Sequence, residues 1–357
     1  PDCGAVVLFS GTVRDHAVGR HVTMPLGLLR LGEAAGGDLG RARTIVERHL
    51  ADIPWLDEGR GRNLYAVGGA WRALARVCIN QTRHPLTVLD NFALDSREAL
   101  RLLEQVGGIN RKVLDRVPGL SKKRVPGLPL AALILERVIR AAQPGRLVFS
   151  IYGMREGQFY RRLPESRRGE DPLLSVCRHL ARLNSRFPEH GDELLDWMAP
   201  LFPDESPRLA RRRHAACLVS DIFWNEHPDY RAEQAFLRLL RLPFMGVGHE
   251  DRVAIAFIVF CRYQGDEDHP AVGRAVALMD EESRRHCRLV GLALRLAHSV
   301  SGGAPNLLRQ TRLIPDGGQL ALEVPARHPV FAVEVDRAHD RLARALGSES
   351  LILRRRP

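Results

Sequence analysis

LYAVGGAWRALA, residues 64–75, decides how the chain is read. The apolar run Leu64–Val67 enters Gly68 and Gly69 and passes without a linker into an amphipathic helical pattern over Ala70–Ile79. That is a buried strand, a tight turn and a helix. Paired glycines let the backbone approach a ligand closely, and a helix start offers free N–H groups and the positive end of a dipole. Arg72, in the first turn, adds a planar donor fork suited to phosphate oxygens. The same glycines would equally serve a plain strand-to-helix turn that needs them only for its dihedral angles.

Working outward, short apolar runs at Val6–Phe9 and Leu147–Ser150 read as two more strands. Helical periodicity covers Leu39–Leu50, Ser96–Val106 and Leu128–Ala142. Alternation of this kind predicts an α/β layer with crossover helices. SIYGMREG, residues 150–157, follows the Leu147–Ser150 strand, so it should lie at the same carboxyl edge as Gly68–Gly69, where ligands of open α/β sheets collect. Arg155 and Glu156 are therefore candidate site residues, the alternative being an exposed loop ion pair.

Residues 164–172, PESRRGEDP, are polar and rich in helix breakers and read as a linker. Beyond them the pattern is almost wholly helical to Ser301, with helices expected over Arg208–Glu226, Arg231–Leu240, Glu250–Tyr263 and Glu281–Val300. His249-Glu250-Asp251 reads as a helix start with acids placed for the dipole. A hairpin signal around Pro315-Asp316-Gly317-Gly318 and a helix over Val333–Leu346 close the chain.

Composition narrows the partners. The 357 residues carry 53 basic and 42 acidic side chains, a net charge of +11 that favours polyanions, although Arg far outnumbers Lys and a coding bias would give the same sign. The densest apolar run, Val253–Phe260, is far short of a membrane span, and no secretory leader is visible at the start, Pro1. Six dispersed cysteines without a CxxC pair point to reduced core thiols of a cytoplasmic protein. Neither GxxxxGK[ST] nor GxGxxG occurs. The runs Lys122-Lys123-Arg124, Arg211-Arg212-Arg213 and Arg354-Arg355-Arg356 read as solvated faces. Aromatics, 6% of the chain, do not interleave with them, so nucleic acid is not favoured. His214 and Asp221 could share one helix face, but two ligands do not make a metal site, and His339-Asp340 has no partner after it.

Three motifs in order carry a family likeness: MPLGLLRL at 24–31, YAVGGAWRALA at 65–75 and GMREG at 153–157. With HAACLVSDIFWNEHPDYRAEQAF at 214–236, they resemble the exopolyphosphatase/guanosine pentaphosphate phosphohydrolase (Ppx/GppA) family over about residues 21–350. The resemblance implies an α/β lobe of the actin, sugar kinase and Hsp70 (ribonuclease H-like) class at 21–163. A mainly helical domain at 173–357 would follow, a degenerate His-Asp-like module with a small terminal hairpin. It implies removal of terminal phosphate from polyphosphate or guanosine pentaphosphate with Mg²⁺. Phosphate-binding roles follow for Gly68, Gly69, Arg72, Arg155, Glu156 and Arg30, with no metal ligand in the chain itself, and a homodimer stays open.

The family's acidic Asp-x-Gly-Gly-Gly-Ser loop should fall just before Met24, where Leu8-Phe9-Ser10-Gly11-Thr12 stands instead. Its first lobe, with the carboxylate that activates water, should lie upstream of Pro1. Residues 2–20, DCGAVVLFSGTVRDHAVGR, resemble the start of the large catalytic subunit of molybdopterin synthase, with a join near Val18-Gly19-Arg20. The expectation is a truncated phosphatase behind a leader at 1–20, weak or inactive in this form. A non-catalytic binder of polyphosphate or RNA and a fragment of a molybdopterin synthase subunit are the alternatives.

Overall fold

The structure, a computed structural model, describes residues 22–263, 268–270, 272–325 and 333–355. The 1–20 leader, the Val6–Phe9 strand and the Ser10-Gly11-Thr12 turn lie outside them. The chain divides into two units after Pro164.

In the first unit the elements run α1 (Leu28–Ala34), α2 (Leu39–Ala51), β1 (Asn63–Val67), α3 (Gly69–Gln81), β2 (Phe92–Asp95), α4 (Ser96–Val106), α5 (Arg111–Leu114), α6 (Leu128–Ala142), β3 (Arg146–Ser150) and α7 (Met154–Arg162). Short carboxylates set the helix starts: Asp38 accepts from Arg41 N–H at 2.7 Å, and Asp95 accepts from Arg97 and Glu98 N–H at 2.9 Å. β1 and β3 pair in parallel, Val67 opposite Ser150, while β2 runs antiparallel to β3, Phe92 opposite Phe149. The sheet order is β1-β3-β2. Its core is built from Leu64, Ala66, Phe92, Leu94, Leu147 and Phe149 of the strands against Leu74, Leu102, Leu103 and Leu135 of the helices. α6, apolar over most of its circumference, packs on α2, α3 and α4.

The predicted strands at 64–67 and 147–150 lie within β1 and β3, and the helices predicted at 96–106 and 128–142 coincide with α4 and α6. β2 has no counterpart among the sequence expectations. Four residues ending in a helix cap show too little alternation to declare a strand, and pairing with β3 supplies what local pattern lacks.

The second unit runs α8 (Glu165–Arg168), α9 (Pro172–Asn184), α10 (His190–Trp197), α11 (Pro207–Val219), α12 (Pro228–Leu239), α13 (His249–Tyr263), α14 (Gly273–Val276), α15 (Glu281–Ser301), β4 (Arg312–Asp316), β5 (Gln319–Pro325), α16 (Val333–Leu346) and β6 (Glu349–Arg355). α13 is buried from Arg252 to Arg262 and packs against α11, α12 and α15, forming the centre of this unit. The hairpin signal becomes β4 and β5. β6 then joins β5 in parallel after the α16 crossover, a third strand that the sequence reading left out.

The helix expected over Arg208–Glu226 ends at Val219. Ser220 turns its hydroxyl back to the Cys217 carbonyl at 2.9 Å, and Asp221 leaves the helix path to pair with Arg186 and Arg262. The five described cysteines, Cys78, Cys177, Cys217, Cys261 and Cys287, are free and buried. Burial pushes the Cys177 and Cys217 thiols up to about 12.

Candidate functional site

Parallel pairing of β1 with β3 brings the turns after Val67 and Ser150 to one edge of the sheet. Gly68 sits at φ +138° and ψ 167°, a conformation that side-chain-bearing residues rarely adopt, so the residue type follows from the backbone. It opens α3 with no side-chain cap and no acid in the first turn. The first N–H groups of a thirteen-residue helix are thus left for another acceptor. Arg72 is exposed on that first turn.

The second turn arrives alongside. A Cβ built on Gly153 would lie 3.4 Å from Val67 Cγ1, so the start of α7 leans on the end of β1. Glu156 folds back and accepts the Gly153 N–H at 2.7 Å. The Gly153 and Glu156 N–H groups hold its carboxyl below the usual carboxylate range, with smaller pulls from Arg155 and Arg72. Glu156 is therefore a capping residue first, and the two arginines are its electrostatic neighbours. Arg155 is exposed at the helix start. The loop ion pair weighed from sequence becomes a cap beside two cations.

Two further residues at this edge were not singled out from sequence as site residues. Arg124, read as part of a solvated basic run, lies against the glycine turn: a Cβ on Gly69 would come 3.0 Å from its Nη2. It is held there by the short 3₁₀ segment Lys122–Gly127. Asp90, 2% exposed, lies beside the β3 turn, its Oδ1 accepting from Ile151 N–H at 3.2 Å. Arg30 is exposed on α1, whose first residue, Leu28, packs at Gly127, just after the Arg124 segment.

Chemically, the edge offers helix N–H donors and guanidinium groups, the equipment of an anion site. It does not fit a divalent cation. The carboxylates named here, Asp90 and Glu156, already accept from backbone N–H groups. Among the described residues no group of three or more His, Cys, Asp or Glu side chains gathers as metal ligands.

In the second unit, the residues with metal-like spacing are engaged in structural polar contacts. His214 Nε2 lies 3.0 Å from Asp192 Oδ1 on α10, whereas Asp221 holds Arg186 at 2.9 Å and Arg262 at 3.2 Å. His339 is buried, and Asp340 pairs with Arg344. Arg211-Arg212-Arg213, expected as a solvated face, is instead an anchor. Arg212 is 1% and Arg213 7% exposed. Arg211 pairs with Asp171, Arg212 with Glu250 and Asp251, and Arg213 with Glu205. Burial is tolerated because each guanidinium meets a carboxylate, 38–40 residues away in sequence for Arg211 and Arg212 and 8 away for Arg213. The acids Glu250 and Asp251 at the start of α13 thus hold arginines as well as facing the helix dipole.

Among the described residues no helix is long and apolar enough to cross a membrane.

Residues 32–166 match the family model described as the Ppx/GppA phosphatase family, and residues 173–350 match that described as exopolyphosphatase, C-terminal. Retrograde regulation protein 2 of Saccharomyces cerevisiae is 25% identical over 223 residues, covering 58% of this chain and 36% of that protein. Among solved structures, the Aquifex aeolicus Ppx/GppA phosphatase, type II variant, aligns with 41% of this chain and 50% of its own at 14% identity and a TM-score of 0.33. An exopolyphosphatase-like protein aligns with 39% of this chain and 47% of its own at 17% identity and a TM-score of 0.32. The chain thus spans half or less of the length of these relatives.

Proposed function

The chain belongs to the Ppx/GppA phosphatase family, an α/β lobe followed by a mainly helical domain, and on that premise we propose that its first unit binds the phosphate chain of polyphosphate or guanosine pentaphosphate for terminal phosphate removal. One observation carries the reading: the uncapped start of α3 and the start of α7 lie side by side at the carboxyl ends of β1 and β3. Gly68 and Gly69 let phosphate oxygens reach the N–H groups of α3, and Arg72, Arg124 and Arg155 supply the counter-charge. Arg30 joins them by family resemblance. Glu156 fixes the start of α7.

Phosphoryl transfer also needs charge neutralisation on the transferring group and an aimed water. In this family Mg²⁺ contributes the first, but the described residues of this edge do not fit it. Asp90 and Glu156 are committed to backbone donors, so neither is placed to aim a water. This commitment favours a second reading, a polyanion-binding module without turnover of its own.

Phosphate release from polyphosphate in the presence of Mg²⁺ separates the two. The expected outcome is salt-sensitive binding with release close to background. Sustained turnover by this chain would refute the assignment of Asp90 and Glu156 and require catalytic acids elsewhere in it. Competition between guanosine pentaphosphate and polyphosphate for the same arginines would rank the two substrates.

A further inference from the structure

Asp90 belongs to none of the motifs that carry the family likeness, yet it is the buried acid beside the proposed phosphate edge. The residue is 2% exposed, and its carboxylate lies against the turn that leads from β3 to α7. Oδ1 accepts from the Ile151 N–H at 3.2 Å and from the Ser150 hydroxyl at 3.3 Å. Oδ2 accepts from the Asn91 side-chain amide at 2.9 Å. The Ser150 oxygen in turn receives the Tyr152 N–H at 3.1 Å, so the bonds reach along the turn to the residue before Gly153.

The other end of this arrangement is equally fixed. Asn91 adopts φ +57°, and its N–H donates to the Phe149 carbonyl at 2.8 Å, which clamps Asp90 to the end of β3. Burying a carboxylate is costly unless donors surround it, and donors here are supplied by the turn itself. The same bonds therefore hold both the acid and the path of the backbone into α7.

We infer that Asp90 is a positioning residue for anion binding: it fixes the β3–α7 turn so that the start of α7 and Arg155 meet the phosphate chain beside Gly68. The inference rests on the reading of this edge as a phosphate site. It also makes an unusual demand on sign. Removing a negative charge near a polyanion site should, by Coulomb attraction alone, tighten binding. A positioning role requires the opposite, because a misplaced donor set loses its alignment with the phosphate oxygens.

The test measures equilibrium binding of sodium polyphosphate to the full chain and to its Asp90→Asn and Asp90→Ala variants, with Ser96→Ala as a stability control. Ser96 bonds to the Pro144 carbonyl at the opposite edge of the same sheet, so its loss disturbs the unit away from the site. Both Asp90 variants are expected to bind about tenfold more weakly while the control binds as wild type. The salt dependence of the Asp90 variants should shallow by up to about one, as for loss of Arg155 itself, because a misplaced Arg155 no longer releases counterions from the phosphate chain. Binding that is unchanged or tighter in both Asp90 variants overturns the inference, as does equal weakening in Ser96→Ala. Absence of polyphosphate binding by the wild type would instead overturn the reading of the edge, and the inference with it.

Discussion

Replacing Gly291 with alanine is expected to destabilise the helical unit by about 2–3 kcal/mol, although alanine is the better helix former. Gly291 lies midway along α15 where it crosses α13. A Cβ there would stand 2.7 Å from the Ile258 carbonyl oxygen and would overlap the Cβ of Cys261. Neither atom belongs to the far end of a flexible side chain, so relief requires the two central helices to move apart. Alanine gains roughly 1 kcal/mol of intrinsic helix preference, which is too little to compensate for opening a fully buried contact. Chemical denaturation followed by helical circular dichroism should show a lower midpoint for the second unit. An unchanged or higher midpoint would mean that the helices are not packed this closely.

Glu205→Gln should be at least as damaging, by about 3 kcal/mol, because it leaves a buried guanidinium without its counter-charge. The Glu205 side chain is 4% exposed and receives Arg213 Nη2 at 2.8 Å and His286 Nε2 at 2.6 Å. Arg213 is further held by the Leu195 carbonyl at 3.1 Å and lies over the Phe202 ring, so it cannot simply swing into water.

Burial alone would raise the Glu205 carboxyl, but hydrogen bonds from His286 and Arg213 overcome it and hold the group below the usual carboxylate range. A depressed folded-state value stabilises the fold above the unfolded-state value, and that contribution disappears as pH falls through the folded one. Wild type should therefore lose stability as pH drops below the ordinary carboxylate range. Glu205→Gln, already lacking that contribution, should show a flatter acid limb. Parallel acid limbs for the two proteins would exclude this ion pair as a source of stability.

What could be read in advance followed from local pattern. The run Leu64–Val67 into Gly68-Gly69 announced β1 and α3, because burial and a special backbone angle each restrict the residue types allowed. The positions of Arg72, Arg155 and Glu156 at the carboxyl edge of the sheet were legible from their places after predicted strands. β2 and β6 were not, since a four-residue strand and a terminal strand depend on partners contributed elsewhere in the chain. Arg211-Arg212-Arg213 looks solvated in sequence because the carboxylates that hold Arg211 and Arg212 are remote. Asp171 lies 40 residues from Arg211, and Asp251 lies 39 from Arg212.

Asp90 illustrates the same limit at the site. A lone acid in a loop between α3 and β2 carries no periodicity and no motif. Its significance comes from the sheet order, which sets the start of β2 beside the end of β3. Arg124 likewise acquires meaning only when its segment folds against Gly69. The signal in both cases was spatial: the antiparallel β2–β3 pair created it for Asp90, and the packing of the Lys122–Gly127 segment on the glycine turn created it for Arg124.

The salt dependence of polyphosphate affinity, measured for wild type and for Arg72→Ala and Arg155→Ala, tests the central claim most directly. Each arginine that contacts phosphate releases counterions on binding, so each alanine variant should bind more weakly and shallow the log–log slope by about one. A salt-insensitive wild type, or variants that keep both the affinity and the slope of the wild type, would contradict a phosphate-binding edge at β1 and β3.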